Sequence, residues 1–263
     1  MNYVFTDTHC HFDFPPFSGH EDESLALAAQ AGVQQIIVPT VTADRFALVL
    51  KLAHDHAPVF AALGLHPLYI AQHHDEQLEQ LAGFLARQPA KLVAVGEIGL
   101  DLYMENPRFD RQQALLKQQL ALAKRHDLPV ILHSRRSHDP LAAILRRADV
   151  PRRGVVHGFA GSLAQAQAFI RLGYYIGVGG TISYERAQKT RSVMAQLPLA
   201  SLLLETDAPD MPLAGYQGQA NRPERAAEVF QMLCQLRPEP PDEIAHHLQQ
   251  NTLSLFGLTP YIA

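Results

Sequence analysis

Asp7, His9 and His11 stand at alternate positions of FTDTHCHFDF, an otherwise largely apolar run near the start of the chain. In an extended segment alternate side chains share a face, so these three lie on one side while Thr6, Thr8 and Cys10 take the other. Burying such groups costs free energy unless each is answered by a partner. The two imidazoles are about 7 Å apart at their backbones in a strand, close enough for both rings to reach one cation. Further candidates follow, each at or near the end of an apolar run: His66 in GLHP, Glu97 in VGEIGLD, His133 in PVILHS, His157 in GVVHGF and Asp207 in SLLLETD. His9, His11, His133 and His157 with Glu97 and Asp207 make a nitrogen and oxygen donor set suited to zinc or a similar divalent ion. Manganese and magnesium become less favoured as histidines accumulate. Six donors exceed what one tetrahedral ion takes. They suit two ions sharing a carboxylate, with Glu97, on a middle strand, as the natural bridge. Asp7 has two readings, as a partner that holds a ligand histidine from behind or as a satisfied core carboxylate.

The elements that must position these residues alternate in type. Strands are expected at 3–9, 34–40, 59–66, 91–99, 129–134, 154–159, 174–180 and 201–207. Amphipathic stretches lie between them. The segment 106–127 is expected to start a helix with Asn106 as N-cap and Pro107 in the first helical position, with Phe109, Leu116, Leu120 and Ala123 as its apolar stripe. The segment 162–173 runs from a serine cap to a glycine stop, and 221–256 supplies the last helices. Continuously apolar strands covered by helices on both faces are the mark of a parallel sheet. Eight repeats of the strand-helix rhythm point to a closed (β/α)8 barrel, in one domain spanning 1–263. In that architecture the C-terminal strand ends converge on one face, so residues distant in sequence become neighbours.

Composition sets limits on function. The chain has 263 residues, 47% hydrophobic, and a net charge of −4, so bulk nucleic-acid binding has no basic signature and any contact with a polyanion must be local. No basic flank with an apolar leader and no membrane-length apolar run is present, and the two distant cysteines, Cys10 and Cys234, suit a reducing compartment. A cytoplasmic protein with no membrane association and no obligate protein partner is expected. Of the 14 histidines, His54, His56, His73, His74, His246 and His247 fall on helices or loops where a solvated face explains them. A single strand-end histidine is more often structural than a ligand. The weight rests on several independent strands delivering suitable residues at one level.

DTHCH, GLHP, GEIGLD, ILHSR, VVHGF, LLLETDAP and GQANRPE, in this order, resemble the TatD family of metal-dependent hydrolases, among the amidohydrolase-like barrels, from residue 4 to about 256. The resemblance implies that His9, His11, Glu97 and Asp207 hold one ion while Glu97, His133 and His157 hold the other. It makes His66 a substrate-facing or supporting group, and it implies a deoxyribonuclease working from 3′ ends. Two places depart from the family: Gly158 and Ala160 stand where VHCFTG is more frequent, and the loop after strand 8 lacks a basic residue before NEP. Neither touches a ligand; both bear on the substrate.

From the site itself, two divalent ions offset by two carboxylates and a hydroxide leave positive charge that favours an anionic phosphate over a neutral amide. Phosphoester hydrolysis by activated water is expected, with Asp207 as catalytic proton acceptor and DNA ends or a small phosphoester as substrate. Glu205 either orients Asp207 or is a buried, paired carboxylate. Arg135, Asn221 and Arg222 are candidates to hold outer phosphate oxygens, each with a surface role as the alternative. Hydrolysis of an acyl bond, in a small amide, a lactone or an aminoacyl-tRNA ester, is the competing reading.

Overall fold

The computed structural model describes residues 3–261. Strands and helices follow in the order β1 (Phe5–Asp7), α1 (Glu21–Gln30), β2 (Val33–Pro39), α2 (Phe46–Asp55), β3 (Val59–Leu63), α3 (Asp75–Ala86), β4 (Leu92–Asp101), α4 (Phe109–Arg125), β5 (Val130–Arg135), α5 (His138–Ala148), β6 (Gly154–Val156), α6 (Leu163–Arg171), β7 (Tyr175–Val178), α7 (Gln188–Gln196), β8 (Leu202–Leu204), α8 (Ala226–Leu236) and α9 (Pro241–Phe256). Each strand pairs in parallel with the next. The seam between β8 and β1 is closed by hydrogen bonds from Thr8 N to Leu204 O (3.1 Å), Asp207 N to His9 O (2.8 Å) and His11 N to Ala208 O (2.7 Å). The result is the expected (β/α)8 barrel. No helix among the described residues is long and apolar enough to cross a membrane.

Both faces of the strands are apolar because both are covered. Ile36 and Val38 of β2 pack with helix residues such as Phe46 and Val49, whereas Ile37 between them belongs to a separate inner cluster with Ala62, Ala94, Ile131, Val155 and Leu203. Leu255, Phe256 and Leu258, at and just beyond the end of α9, complete that inner cluster. This apolar plug fixes where the polar site can begin. Two residues further along the same strand faces come His133 after Ile131, His157 after Val155 and Glu205 after Leu203. Glu97 breaks that parity, since Ala94 points inward and Gly96 should follow it. The register of β4 on β5 slips between Val95 and Ile98, and such a bulge re-aims the next side chain.

The ladders end earlier than the sequence suggests. β3, β6, β7 and β8 stop at Leu63, Val156, Val178 and Leu204 rather than at 66, 159, 180 and 207. Beyond these points side chains take over the backbone groups: Thr40 Oγ1 accepts from Gly64 N (2.8 Å), Glu205 accepts from Gly158 N, and Asp7 accepts from Thr206 N (3.0 Å). β4 runs the other way, to Asp101, which leaves Glu97 in mid-strand rather than near its end.

α6 is capped as expected, with Ser162 accepting from Gln165 N (3.2 Å). α4 is not. It begins at Phe109, after Arg108 in a left-handed conformation (φ 45°), so Asn106 and Pro107 lie outside the helix. The cause is Gln112, whose buried amide donates to Pro107 O (2.6 Å) and Asp101 O (2.8 Å) and ties the preceding turn to the end of β4. Of the expected stripe, Leu116, Leu120 and Ala123 are buried and Phe109 is partly so.

Candidate metal centre

The structure brings His9, His11, Glu97, His133, His157 and Asp207 to the C-terminal mouth of the barrel. Glu97 lies at their centre. Its Oε2 is 3.1 Å from His9 Nε2 and 3.3 Å from His11 Nε2, and both nitrogens are 3.4 Å from Asp207 Oδ1. Its Oε1 faces the other way, 3.2 Å from His133 Nδ1 and 2.7 Å from His157 Nε2. Donors around a tetrahedral ion with bonds of about 2.0–2.1 Å stand about 3.3–3.4 Å from one another. The first group has that spacing, and Asp207 Oδ1 is buried with no hydrogen-bond partner. On this ground the residues fit a divalent ion.

Tautomers separate supporting groups from donors. His133 Nε2 bonds Asp101 Oδ2 at 2.7 Å, which keeps a hydrogen there and leaves Nδ1, facing Glu97, as the nitrogen that a cation would take. His66 has the opposite arrangement. Leu68 N donates to its Nδ1 (3.0 Å), so the ring hydrogen sits on Nε2 and donates to Glu97 Oε1, also 3.0 Å away. His66, Glu97 and His133 are close enough to share an ion, but a nitrogen that donates a hydrogen offers no lone pair, so His66 is a support for Glu97.

The protonation pattern follows from these contacts. Burial opposes charge on His11, but the Asp207 and Glu97 carboxylates beside it outweigh burial and lift its pKa to about 10. Burial likewise opposes charge on His157, where Glu97 prevails, and on His133, where Asp101 and then Glu97 do; both are raised. Burial lowers His9, and lowers His66 to about 4 despite Glu97. Glu97 and Asp207 stay below the usual carboxylate range because the imidazoles outweigh their burial. Positive charge on these three imidazoles is thus favoured beside Glu97, Asp207 and Asp101. A divalent cation entering this cluster would displace those protons.

The centre floors a cavity of about 700 Å3 whose lining includes His66, Arg135, Arg136, His138, Phe159 and Asp210. Another cavity, of about 440 Å3 between α4 and α5, has no carboxylate or imidazole in its lining. Glu97 and Asp207 both line the main cavity, and Asp207 is the more open of the two, with 21% of its side chain exposed against 1% for Glu97. Its backbone is left-handed (φ 61°), a strained conformation that Asp tolerates better than most residues.

Other candidates are sorted by their partners. Arg135 lines the cavity. Asn221 does not: it is buried, its amide donates to Thr206 O (2.9 Å) and Met211 O (3.1 Å), and its Oδ1 accepts from Arg222 N (2.9 Å). With those groups engaged it clips the loop after β8, and has no free atom for an outer phosphate oxygen. Arg222 is turned to Glu224 and Ser24. Glu205 sits behind His157, with Oε1 3.7 Å from His157 Nδ1. Asp7 accepts from the backbones of His9 (3.2 Å) and Thr206 (3.0 Å) and from the Thr206 hydroxyl, which makes it a satisfied core carboxylate with no bond to a histidine ring. Asp101 escaped the sequence reading, although a carboxylate ending the apolar run LVAVGEIGLD is itself a signal that a partner waits nearby.

The profile of the family described as TatD related DNase matches residues 6–257. The chain belongs to that family. Among TatD relatives, an uncharacterized metal-dependent hydrolase of Escherichia coli K12, YjjV, is 66% identical over 97% of this chain and 98% of its own length. Another from Haemophilus influenzae is 44% identical, covering 96% and 99%. The crystal structure of the E. coli YjjV TatD homolog superposes with a TM-score of 0.97 over 98% of this chain and 100% of that one. A TatD family hydrolase from Entamoeba histolytica shares the fold at 20% identity, with a TM-score of 0.85 over 97% and 99%. The protein is thus a metal-dependent hydrolase of the TatD family.

Proposed function

We propose that this hydrolase is a phosphodiesterase with two divalent ions, acting on the ends of DNA strands. The observation that carries the reading is the two-sided placement of Glu97, whose Oε2 meets the His9 and His11 nitrogens while Oε1 meets those of His133 and His157. His9, His11, Glu97 and Asp207 would hold one ion, and Glu97, His133 and His157 the other. Zinc fits this nitrogen-rich set best, with magnesium and manganese as alternatives. The ions supply Lewis-acid polarisation and neutralise charge developing on phosphoryl oxygens.

The chain's own groups do the rest. Asp207, open to the cavity, takes the proton of the attacking water. Glu97 is held from the side by the His66 Nε2–H, and Asp101 fixes the ring of His133. Arg135 at the rim offers planar donors to a phosphate oxygen. The family description supports a nuclease, and an enzyme working at chain ends needs only a local grip, which a net charge of −4 permits. Two free cysteines, one of them buried, suit a cytoplasmic site of action.

The test is hydrolysis by metal-loaded protein of a 3′-labelled single strand, an amide series and an ester series at matched metal content. Release of mononucleotides, abolished by Asp207→Asn and His133→Ala in folded protein, is expected. Turnover of amides or esters with no phosphodiester cleavage would overturn the reading.

A further inference from the structure

Arg135 and Arg136 are consecutive, yet both guanidiniums reach the same ring. Arg135 Cζ is 3.9 Å and Arg136 Cζ 4.3 Å from the centroid of Tyr103, which is 50% exposed. Consecutive residues of a strand point to opposite faces. Here β5 ends at Arg135, and Arg136 takes a left-handed backbone (φ 52°), so that both side chains reach the Tyr103 ring. Tyr103 is held in turn, since its N–H donates to Asp101 Oδ1 (2.9 Å) while the other oxygen of that carboxylate bonds His133. The assembly is therefore fixed to the metal centre through one carboxylate.

Two like charges on one ring repel, and the ring offsets this by attracting both. Among the described residues neither guanidinium makes an ion pair or a hydrogen bond, although Arg135 lies near enough to Asp101 to help lower that carboxylate's pKa. Arginines held on an aromatic ring and not paired with a carboxylate keep their planar donors free for a phosphate. Both line the cavity that the metal centre floors. Along β5, Arg135 is two residues beyond His133, about 7 Å at the backbone, the scale of a step to the next phosphate along an extended nucleic acid strand. Leu68 and Met211, also in the lining and about half exposed, add apolar surface for the sugar and base between the two phosphates.

We propose that Tyr103, Arg135 and Arg136 form a second phosphate subsite, which holds the phosphodiester next to the one being hydrolysed and so selects a single-stranded nucleic acid chain over a small phosphoester. The subsite rests on the phosphodiesterase reading, and the experiment separates the two. Metal-loaded protein is assayed on an oligothymidylate and on thymidylyl-thymidine, which has a single phosphodiester and no neighbour. The oligomer is expected to have the lower KM. Arg136→Ala and Tyr103→Ala should lower the ratio of kcat/KM for oligomer over dinucleotide by about tenfold, through KM rather than kcat. Binding of a fluorescent, hydrolysis-resistant phosphorothioate oligothymidylate, followed by anisotropy, should weaken by about the same factor in Arg136→Ala, with a salt slope shallower by about one. Equal losses on both substrates, or binding and salt dependence like wild type, would overturn the subsite. If the wild type cleaves neither substrate yet binds the oligomer through Arg136, the phosphodiesterase reading falls and the subsite stands.

Discussion

Asp101→Asn offers a sharp test of the centre, because it changes one charge and almost no volume. Asp101 is buried, and its backbone is held on both sides by Gln112, which accepts from Asp101 N and donates to Asp101 O, each at 2.8 Å. The local fold should therefore survive. What changes is the carboxylate, whose two oxygens accept from His133 Nε2 (2.7 Å) and Tyr103 N (2.9 Å); an amide has one acceptor oxygen, so it keeps a neutral bond to His133 only by turning its NH2 toward Tyr103 N. A hydrogen bond to a charged group contributes about 1.5–3 kcal/mol and a neutral one about 1 kcal/mol. Losing the charge should cost about 0.5–2 kcal/mol, or about 2–30-fold in affinity for an ion held by His133, in the range of the effect of such supporting carboxylates elsewhere. Only one of two ions should be affected, since His9, His11 and Asp207 do not touch Asp101. The assay is a zinc titration by calorimetry against a competing chelator, with thermal unfolding of the metal-free protein as control. One weakened site beside one unchanged site is expected. Equal weakening of both sites, or unchanged affinity for both, would refute the reasoning.

Zinc uptake near neutral pH should release protons, that of His11 with its pKa of about 10 first among them, and His133 and His157, whose pKa values are also raised in the metal-free protein, should add to the release. Affinity therefore rises with pH, measurable by calorimetry in buffers of different ionisation enthalpy; no proton release would contradict the assignment. In the metal-free protein the Asp101–His133 pair has a lowered carboxylate and a raised imidazole. Its stabilisation is fully present between about pH 4 and 6.5 and is lost as pH falls through the Asp101 value or rises through that of His133, which an Asp101→Asn difference in denaturation midpoint against pH would report. Gly177→Ala should destabilise the protein by about 1–3 kcal/mol and reduce activity, since a Cβ there would stand 2.9 Å from His157 Cα and press on the Glu205 carboxylate; urea unfolding checks this. Asn221→Ala leaves three backbone groups of the loop after β8 without partners, and Tm should fall by about 5–10 °C.

The barrel was legible because its strands are apolar on both faces and its donors fall at one level along them. Where side chains intervene in the backbone the sequence was less informative. The Gln112 clasp moved the start of α4, and the carboxylates of Asp7 and Glu205 took over backbone groups where ladders were expected to continue. Glu97 was recognised by type, but its inward aim depends on a register slip at Val95–Ile98 that no periodicity announces. Asn221 illustrates the converse: its residue type suits a phosphate contact, and only its three occupied hydrogen bonds assign it to the loop.

The central claim is that Glu97 is shared between two cations, and anomalous diffraction from zinc-loaded crystals tests it most directly. Two peaks are expected, one about 2.0–2.2 Å from His9 Nε2, His11 Nε2, Glu97 Oε2 and Asp207 Oδ1, the other at the same range from Glu97 Oε1, His133 Nδ1 and His157 Nε2. A single peak at full zinc occupancy, or two peaks with Glu97 bound to only one of them, would contradict the account.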